Sequence, residues 1–468
     1  MTVEERVARR VFLDAPAGFV ALESFGEPVD ERVFTTTLVD AEDRILRWTG
    51  LSLTRRLENG KSIWELELPA NGRIRTVSDA GEPSRPPQGL SDLLVGVLRD
   101  RPVGPVATRR TRRSTRRATE NGHDVALVAL DSVAVMDGRK VAFKLSRIDV
   151  GLIGDERGAE LRLVKALEKG GASGRHGDEA EGPKAAGTPP LAQIRVMLGR
   201  QLREILRHDP GTRLGSDPED LHRMRVATRR ARAVLRAGRP LLDPTWSEPL
   251  REELGWLGSA LGQVRDLDVL LAHLDAQMGE LDNEERFAAK RIGQGLDQER
   301  AEARGALLEA LESERYVALL DSLGVAAPPP PQKPSEAELA ALAKAEFRSL
   351  KKAARDLGPE SSDKDLHRVR VKAKRARYAA ELAAPSVGKR AEEFVRSAKR
   401  FQDLLGEHQD AVVAEDKIRE LAMAARATKV AFAAGRLVER ERARRNSARA
   451  EVPGAWSKLE RSGRRAWG

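Results

Sequence analysis

The sequence predicts a multidomain protein, with an N-terminal α+β part and an all-α C-terminal part made of two related helical bundles. Three observations carry this. The stretch DLHRMRVATRRARAVLRA, Asp220 to Ala237, returns about 145 residues later as DLHRVRVKAKRARYAAEL, Asp365 to Leu382. Strand-length runs of β-branched residues crowd the chain up to about residue 170 and give way to helical periodicity after it. Between the two lies Gly170 to Pro190, GGASGRHGDEAEGPKAAGTPP, with the composition of a flexible linker. The expected divisions are a first domain at 1–169, a linker at 170–190 and a helical domain at 191–468, with half-repeats at about 191–327 and 335–468.

Taken in order, LSLTRRL (Leu51 to Leu57) and SIWELELP (Ser62 to Pro69) flank the turn-like ENGK and read as a hairpin. VATRRTRR (Val106 to Arg113) and the long run His123 to Leu152 supply further strands, and ELRLVKALEK (Glu160 to Lys169) a closing helix. Leu191 to Arg207 is amphipathic, with Arg200, Arg203 and Arg207 on one face. Cap and proline signals at Ser216 to Asp220 open the first repeated helix. Helices follow at Glu248 to Ala276 and Asn283 to Leu323, each expected to break somewhere, and the proline run Pro328 to Pro331 separates the half-repeats. Ser335 to Leu357 puts Lys344, Lys351 and Arg355 on one face, and Ser361 to Asp365 caps the second repeated helix. Ala391 to Ala425 then repeats Glu248 to Ala276, LGEHQD (Leu405 to Asp410) answering LGQVRD (Leu261 to Asp266).

Composition narrows the function. With 82 Lys+Arg against 72 Asp+Glu the formal net charge is +10, which suits a polyanionic partner but leaves local clustering to decide. Cysteine is absent, which excludes disulfides and thiolate metal sites, and the seven histidines form no ligand cluster. No stretch approaches a membrane span and the first residues are not a secretory leader, so the expected location is the cytoplasm.

On a helix, at about 100° per residue, His222, Arg225, Arg229, Arg232 and Arg236 share an arc of roughly 80°, while Leu221, Met224, Ala231, Val234 and Leu235 line the adjoining face. The second copy places His367, Arg370, Lys374 and Arg377 on the same arc, backed by Leu366, Val369, Ala373, Ala376 and Ala380, with Glu381 where the first has Arg236. A charge run is ordinarily a solvated face. The histidine at one place in both copies, and a register kept through the repetition, point further than solubility requires. Guanidinium groups about 5.4 Å apart match phosphate oxygens bidentately.

The LHxxRVxxRRxR pattern, duplicated and each time followed by LGxxxD, resembles the CHAD domain, the conserved-histidine α-helical domain, from about Leu191 onward. The resemblance implies two helical bundles related by a pseudo-twofold axis, with a central basic surface that binds inorganic polyphosphate. The contact residues it implies are His222, Arg225, Arg229, Arg230, Arg232, His367, Arg370, Lys374, Arg375 and Arg377, with Arg200, Arg207, Lys344 and Lys351 from the preceding helices. Asp266 and Asp410 are expected to pin a basic side chain, and Gly262 and Gly406 to mark close helix packing.

In the first domain the hairpin, the RRTRR strand, the DSVAV strand and the closing helix are similar to the CYTH fold of the triphosphate tunnel metalloenzymes. That resemblance implies an antiparallel β-barrel or tunnel where basic residues grip a triphosphate and carboxylates hold a divalent metal. Here Arg6, Ala8 and Arg10 stand where the family has ExExK, and Arg147, Asp149 and Gly151 where it alternates acids, so one acid of three survives in the latter strand and is expected to be ion-paired. Triphosphate contacts are expected from Arg55, Arg110 and Arg112, with Glu67 at the place of a usual lysine. The expected protein binds polyphosphate and has no catalytic residues and no cofactor, a divalent metal entering only if the first domain is active. It is placed in the cytoplasm, free or on polyphosphate granules. The alternatives are a metal-dependent tripolyphosphatase and a nucleic-acid-binding module. The second is disfavoured because Phe, Trp and Tyr make up 4% of the chain and only Tyr378 borders the basic stripe.

Overall fold

The fold is that of a computed structural model, which describes residues 4–16, 19, 27–70, 73–120, 122–153, 157–175, 189–324, 339–355, 357–358, 360–425 and 427–468. Most of the expected linker and the proline run at Pro328 to Pro331 lie outside the described residues. Contacts divide the chain into two units, one of Met1–Glu181 with Leu206–Ser216, the other of Gly182–Ile205 with Asp217–Gly468.

The first unit is a nine-stranded antiparallel sheet: β1 (Glu4–Ala15), β2 (Glu27–Ala41), β3 (Ser52–Glu58), β4 (Lys61–Ala70), β5 (Arg73–Ala80), β6 (Val103–Glu120), β7 (His123–Asp137), β8 (Lys140–Leu152) and β9 (Ser173–Arg175). Helices α1 (Ile45–Thr49), α2 (Gln88–Leu98) and α3 (Arg157–Lys169) interrupt it. The order is β5-β4-β3-β2-β6-β7-β8-β1-β9, and β1 also pairs with β5. The first residues of β1 pair with β5 and the later ones with β8, so the sheet curls round on itself as a tunnel-like wall without one strand being paired to both neighbours along its length. The hairpin read from the sequence is β3–β4, with Asn59 and Gly60 at positive φ in its turn. Ser173–Arg175, expected as linker, instead pair with β1.

Side chains on a strand alternate between faces. One face is apolar: Leu13, Val128, Ile148 and Val150 bury against Leu163, Val164 and Leu167 of α3. Leu53, Trp64, Leu66 and Val77 lie on that same outer side and are buried, as are Leu90, Leu94 and Val97 of α2. The first unit also includes the chain from Leu206, although the sequence placed it with the helical domain. Asp209 sits so close to Gly96 that a Cβ there would lie 2.6 Å from its carboxylate oxygen, and Ser216 accepts from buried Arg75 at 3.1 Å and donates to Glu5 at 2.8 Å.

The second unit is all-helical. After α4 (Pro190–Leu214) come α5 (Pro218–Ala237), α6 (Pro244–Met278), α7 (Asn283–Glu312), α8 (Glu314–Leu323), α9 (Leu339–Ala353), α10 (Asp363–Val387), α11 (Lys389–Ala425) and α12 (Thr428–Trp467). Asp217 caps α5 by accepting from the Glu219 amide with Pro218 in the first turn, and Ser362 caps α10 by accepting from the Asp365 amide. Of the two breaks expected, only one occurs: Ser313 ends α7 and caps α8, whereas α6 runs unbroken through Pro249, although a proline in its second turn removes the amide that would bond to the Thr245 carbonyl. The apolar stripes behave as read, since Leu221, Met224, Ala231, Val234 and Leu235 on α5 and Leu366, Val369, Ala373, Ala376 and Ala380 on α10 are all buried.

Candidate functional site: two facing basic rails

Burying those stripes sets α5 against α10 and leaves the basic arcs side by side. Arg225, Arg229, Arg370 and Lys374 lie within one another's fields. Burial, followed by repulsion from Arg370, Arg229 and Arg225, pulls the Lys374 ammonium down to about 7, with Asp410 opposing. Arg225 and Arg370 are lowered by burial too, each partly offset by its aspartate, Asp266 and Asp410 respectively. Farther along, Arg236 is lowered by burial and by Arg375. Cations this close need a counter-anion, and the two aspartates supply only part of one.

The helix after each rail provides its seat. Arg225 pairs with Asp266 at 3.0 Å, and its guanidinium lies over Gly262, where a Cβ would be 3.6 Å from it; Arg232 lies over Gly255 one heptad earlier. Arg370 lies over Gly406 in the same way, at 4.0 Å. The repeated glycines therefore make room for rail arginines, where the sequence suggested helix-on-helix packing. An alanine at Gly262 makes only ordinary contact, but a leucine must push the Arg225 guanidinium aside. Gly262→Leu is accordingly expected to weaken anion binding about tenfold or more, the loss of one charge-assisted contact, with Gly262→Ala near native; a thermal melt of each variant separates this from unfolding.

The repeated histidines meet equivalent neighbours. His367 hydrogen-bonds through Nδ1 to Gln409 Oε1 at 2.9 Å, and His222 is lowered by burial and then by Arg265. Gln409 and Arg265 are the residues just before Asp410 and Asp266. Arg265 and Arg444, the latter acting on Asp410, are site residues that sequence reasoning missed. Arg265 stood within the LGQVRD motif, whereas nothing in the sequence tied Arg444 of α12 to the rails.

Some of the other predicted contacts have partners of their own. Arg207 lies against Gly50 in the first unit, with its guanidinium 3.4 Å from where a Cβ would be, and Lys351 pairs with Glu460 at 3.3 Å. Arg377 is turned back onto Glu381 at 3.6 Å and stacks over Tyr378. Arg230 and Arg200 are exposed, and Lys344 and Arg375 half-buried.

In the first unit, register decides which side chains point into the tunnel. Arg10, Phe34, Arg56, Glu67, Arg109, Arg113, Asp131, Arg147 and Asp149 share the inner face. Arg55, Arg110 and Arg112, expected there, are on the outer one: Arg55 is paired with Trp64, donates to the Pro83 carbonyl and reaches Thr37 at 3.4 Å, and Arg112 pairs with Glu31 at 3.2 Å. In RRTRR both registers offer arginines, and a slip of one residue exchanges the faces. Inside, Asp149 is 4% exposed and is held by Arg10 and by Arg113 at 3.0 Å, while Arg113 also grips Asp131 through two hydrogen bonds of 2.7 Å. Glu67 is pushed up by burial, with Arg10 opposing. A divalent cation needs several free carboxylate oxygens, and among the described residues no group of three or more His, Asp or Glu could hold one. The inner residues do not fit the metal. Arg109 and Arg147 remain without a carboxylate partner among the described residues, and Arg109 is lowered by burial and then by Arg147.

No helix among the described residues is long and apolar enough to cross a membrane. The CHAD domain family model matches residues 196–419. Two uncharacterised proteins of Mycobacterium tuberculosis, from strains CDC 1551 and H37Rv, are each 28% identical, over 89% of this chain and 88% of theirs. The crystal structure of the CHAD domain from the plant Ricinus communis is 26% identical, with a TM-score of 0.47, and spans 60% of this chain and 95% of that one. HpAC1 from Hippeastrum, whose dominant activity is as a triphosphatase, is 14% identical with a TM-score of 0.25 over 38% of this chain and 93% of its own. Residues 196–419, which hold both rails and both of their aspartate-bearing partner helices, are thus a CHAD domain.

Proposed function

We propose that this protein binds inorganic polyphosphate along the facing rails of α5 and α10, in the cytoplasm, and is not an enzyme. The observation that carries the reading is the gathering of Arg225, Arg229, Arg370 and Lys374 within one another's fields, where burial and then the repulsion of the three arginines bring Lys374 to about 7. Such crowding is costly without a ligand and is relieved by a continuous polyanion. Arg230, Arg232, Arg375 and the two histidines border this core, and Arg200 and Lys344 are outlying contacts. A phosphate chain needs charge and forks only, whereas a single-stranded nucleic acid is held by stacking platforms as well, and Tyr378, beside the rails, is already covered by Arg377.

The test is binding of long-chain polyphosphate, tripolyphosphate, duplex DNA and RNA to the full chain at matched charge and salt. Polyphosphate should bind tightest, with affinity falling steeply as salt rises, since neutralised phosphates release counterions. DNA binding of equal strength would leave only a generic basic surface.

The tripolyphosphatase alternative has its own expected outcome. The full chain should release no phosphate from tripolyphosphate with Mg²⁺ or Mn²⁺ between neutral and alkaline pH, because Asp149 already has two guanidinium partners. The full chain is required, since a fragment ending at Lys169 would lack Leu206–Ser216. Metal-dependent turnover abolished by Asp149→Ala would make the protein an enzyme.

A further inference from the structure

We propose that the cleft between α11 and α12 is a second binding site for phosphate-dense anions, separate from the rails. The cleft, a cavity of about 270 Å³, is lined by Arg396, Arg400, Lys458, Arg461 and Arg465, with Glu393 the one carboxylate on its wall. Among the described residues none of these five cations forms an ion pair. That sets them apart from their own helix: on α12, Arg442 pairs with Glu415 at 2.9 Å, Arg445 with Glu415 at 3.2 Å and Arg464 with Glu460 at 2.7 Å. Like charges gathered on successive turns repel, and a bound polyvalent anion removes that repulsion.

The site is also held in shape. Phe394 of α11 meets Trp467 of α12 edge-on at 5.9 Å, and Phe401 meets Trp456 at 5.8 Å. The cationic residues lie between these two aromatic contacts, so the helices that carry them are fixed on both sides of the cleft. Ser397 and Ser462 add hydroxyl groups to the wall. One-turn spacing of Arg396 and Arg400, and of Arg461 and Arg465, offers paired forks to phosphate oxygens, and among the described residues no aromatic ring lines the cleft to favour a base or a sugar.

The cluster is not a by-product of the internal repeat. Where α11 has Arg396 and Arg400, the corresponding positions of α6, 144 residues earlier as in the LGxxxD alignment, hold Glu252 and Trp256. Nor does it extend the rails. Arg400 lies ten residues before Asp410 on one helix, about 15 Å along its axis, with acidic Asp403 and Glu407 between. Tripolyphosphate is too short to occupy both places, whereas a long chain can. If the rails bind as proposed above, the protein grips long chains twice, and tethering makes the second contact effectively intramolecular.

The experiment is calorimetric titration of the full chain with tripolyphosphate and with long-chain polyphosphate, comparing the native protein, Arg400→Gln with Arg461→Gln, and Arg225→Ala with Arg370→Ala. Arg400 and Arg461 are exposed and have no ion pair among the described residues, and a melt of the variant confirms that it folds. The cleft variant is expected to bind one equivalent of tripolyphosphate fewer than the native chain and to lose tenfold or more in long-chain affinity. An unchanged stoichiometry in that variant would overturn the inference while leaving the rails untouched. Loss of the cleft equivalent with no effect of the rail variant would uphold the inference and overturn the rail reading.

Discussion

Replacing Arg225 and Arg370 together by alanine is expected to weaken polyphosphate binding by about two to four orders of magnitude. Each is a charge-assisted contact worth about 1.5 to 3 kcal/mol, so one from each rail amounts to about 3 to 6 kcal/mol, at about 1.4 kcal/mol per factor of ten. The structure adds a second cause. Arg225 neutralises Asp266 at 3.0 Å, so its removal leaves a carboxylate facing the ligand. Asp266→Asn should therefore strengthen binding slightly in the native background and recover part of the loss in the double variant. The control is Lys290→Ala with Arg291→Ala, two exposed cations on α7 away from the rails, which should change affinity little. Arg440 and Arg442 would be poor controls, because Arg440 donates to the Gln277 carbonyl at 2.8 Å and Arg442 holds Glu415 at 2.9 Å. Equal losses from rail and control variants, read by titration at fixed salt, would show that no localised site exists.

Binding should also weaken as pH rises above about 7, through Lys374. In the free protein burial, Arg370, Arg229 and Arg225 lower this ammonium to about 7, with Asp410 opposing. A bound polyanion favours the charged form and raises it. Below about 7 the lysine is already charged in both states, so binding involves no proton and affinity is at its plateau. Above that value, and until the raised value in the complex is reached, binding takes up a proton and affinity falls by up to about tenfold per pH unit. Lys374→Arg should abolish that slope while keeping most of the affinity, because a guanidinium stays charged. Lys374→Gln should abolish the slope and lower the plateau. His222 is likewise lowered, by burial and Arg265, so any strengthening it contributes occurs on the acid side of the ordinary histidine range, apart from the lysine window. Proton uptake measured in two buffers of different ionisation enthalpy checks the sign, and a flat native profile from neutral to alkaline pH would remove Lys374 from the site.

Whatever rests on local periodicity and repetition was legible before any fold was known. The β3–β4 hairpin, the caps at Asp217 and Ser362, the buried stripes of α5 and α10 and the cationic arcs beside them all follow from spacing along one element, because helical and strand geometry map sequence distance directly onto faces. What spacing could not decide was which faces meet. Doubled arginines fit either strand register, so only the pairing of β6 with β2 and β7 turned Arg109 and Arg113 inward and Arg110 and Arg112 out. Arg207 shares a helical face with Arg200, yet packs against Gly50, since the chain from Leu206 joins the first unit. Gly262 and Gly406 were visible as small residues, but their use as seats for Arg225 and Arg370 depends on the approach of α6 to α5 and α11 to α10. The α11–α12 cleft brings Arg396 and Arg400 to Lys458 and Arg461, some sixty residues away, with no repeat to announce it. Side chains distant in sequence acquire common burial and a common field only through packing, and these, not the count of charges, lower Lys374 and set the facing rails apart from a solvated basic surface.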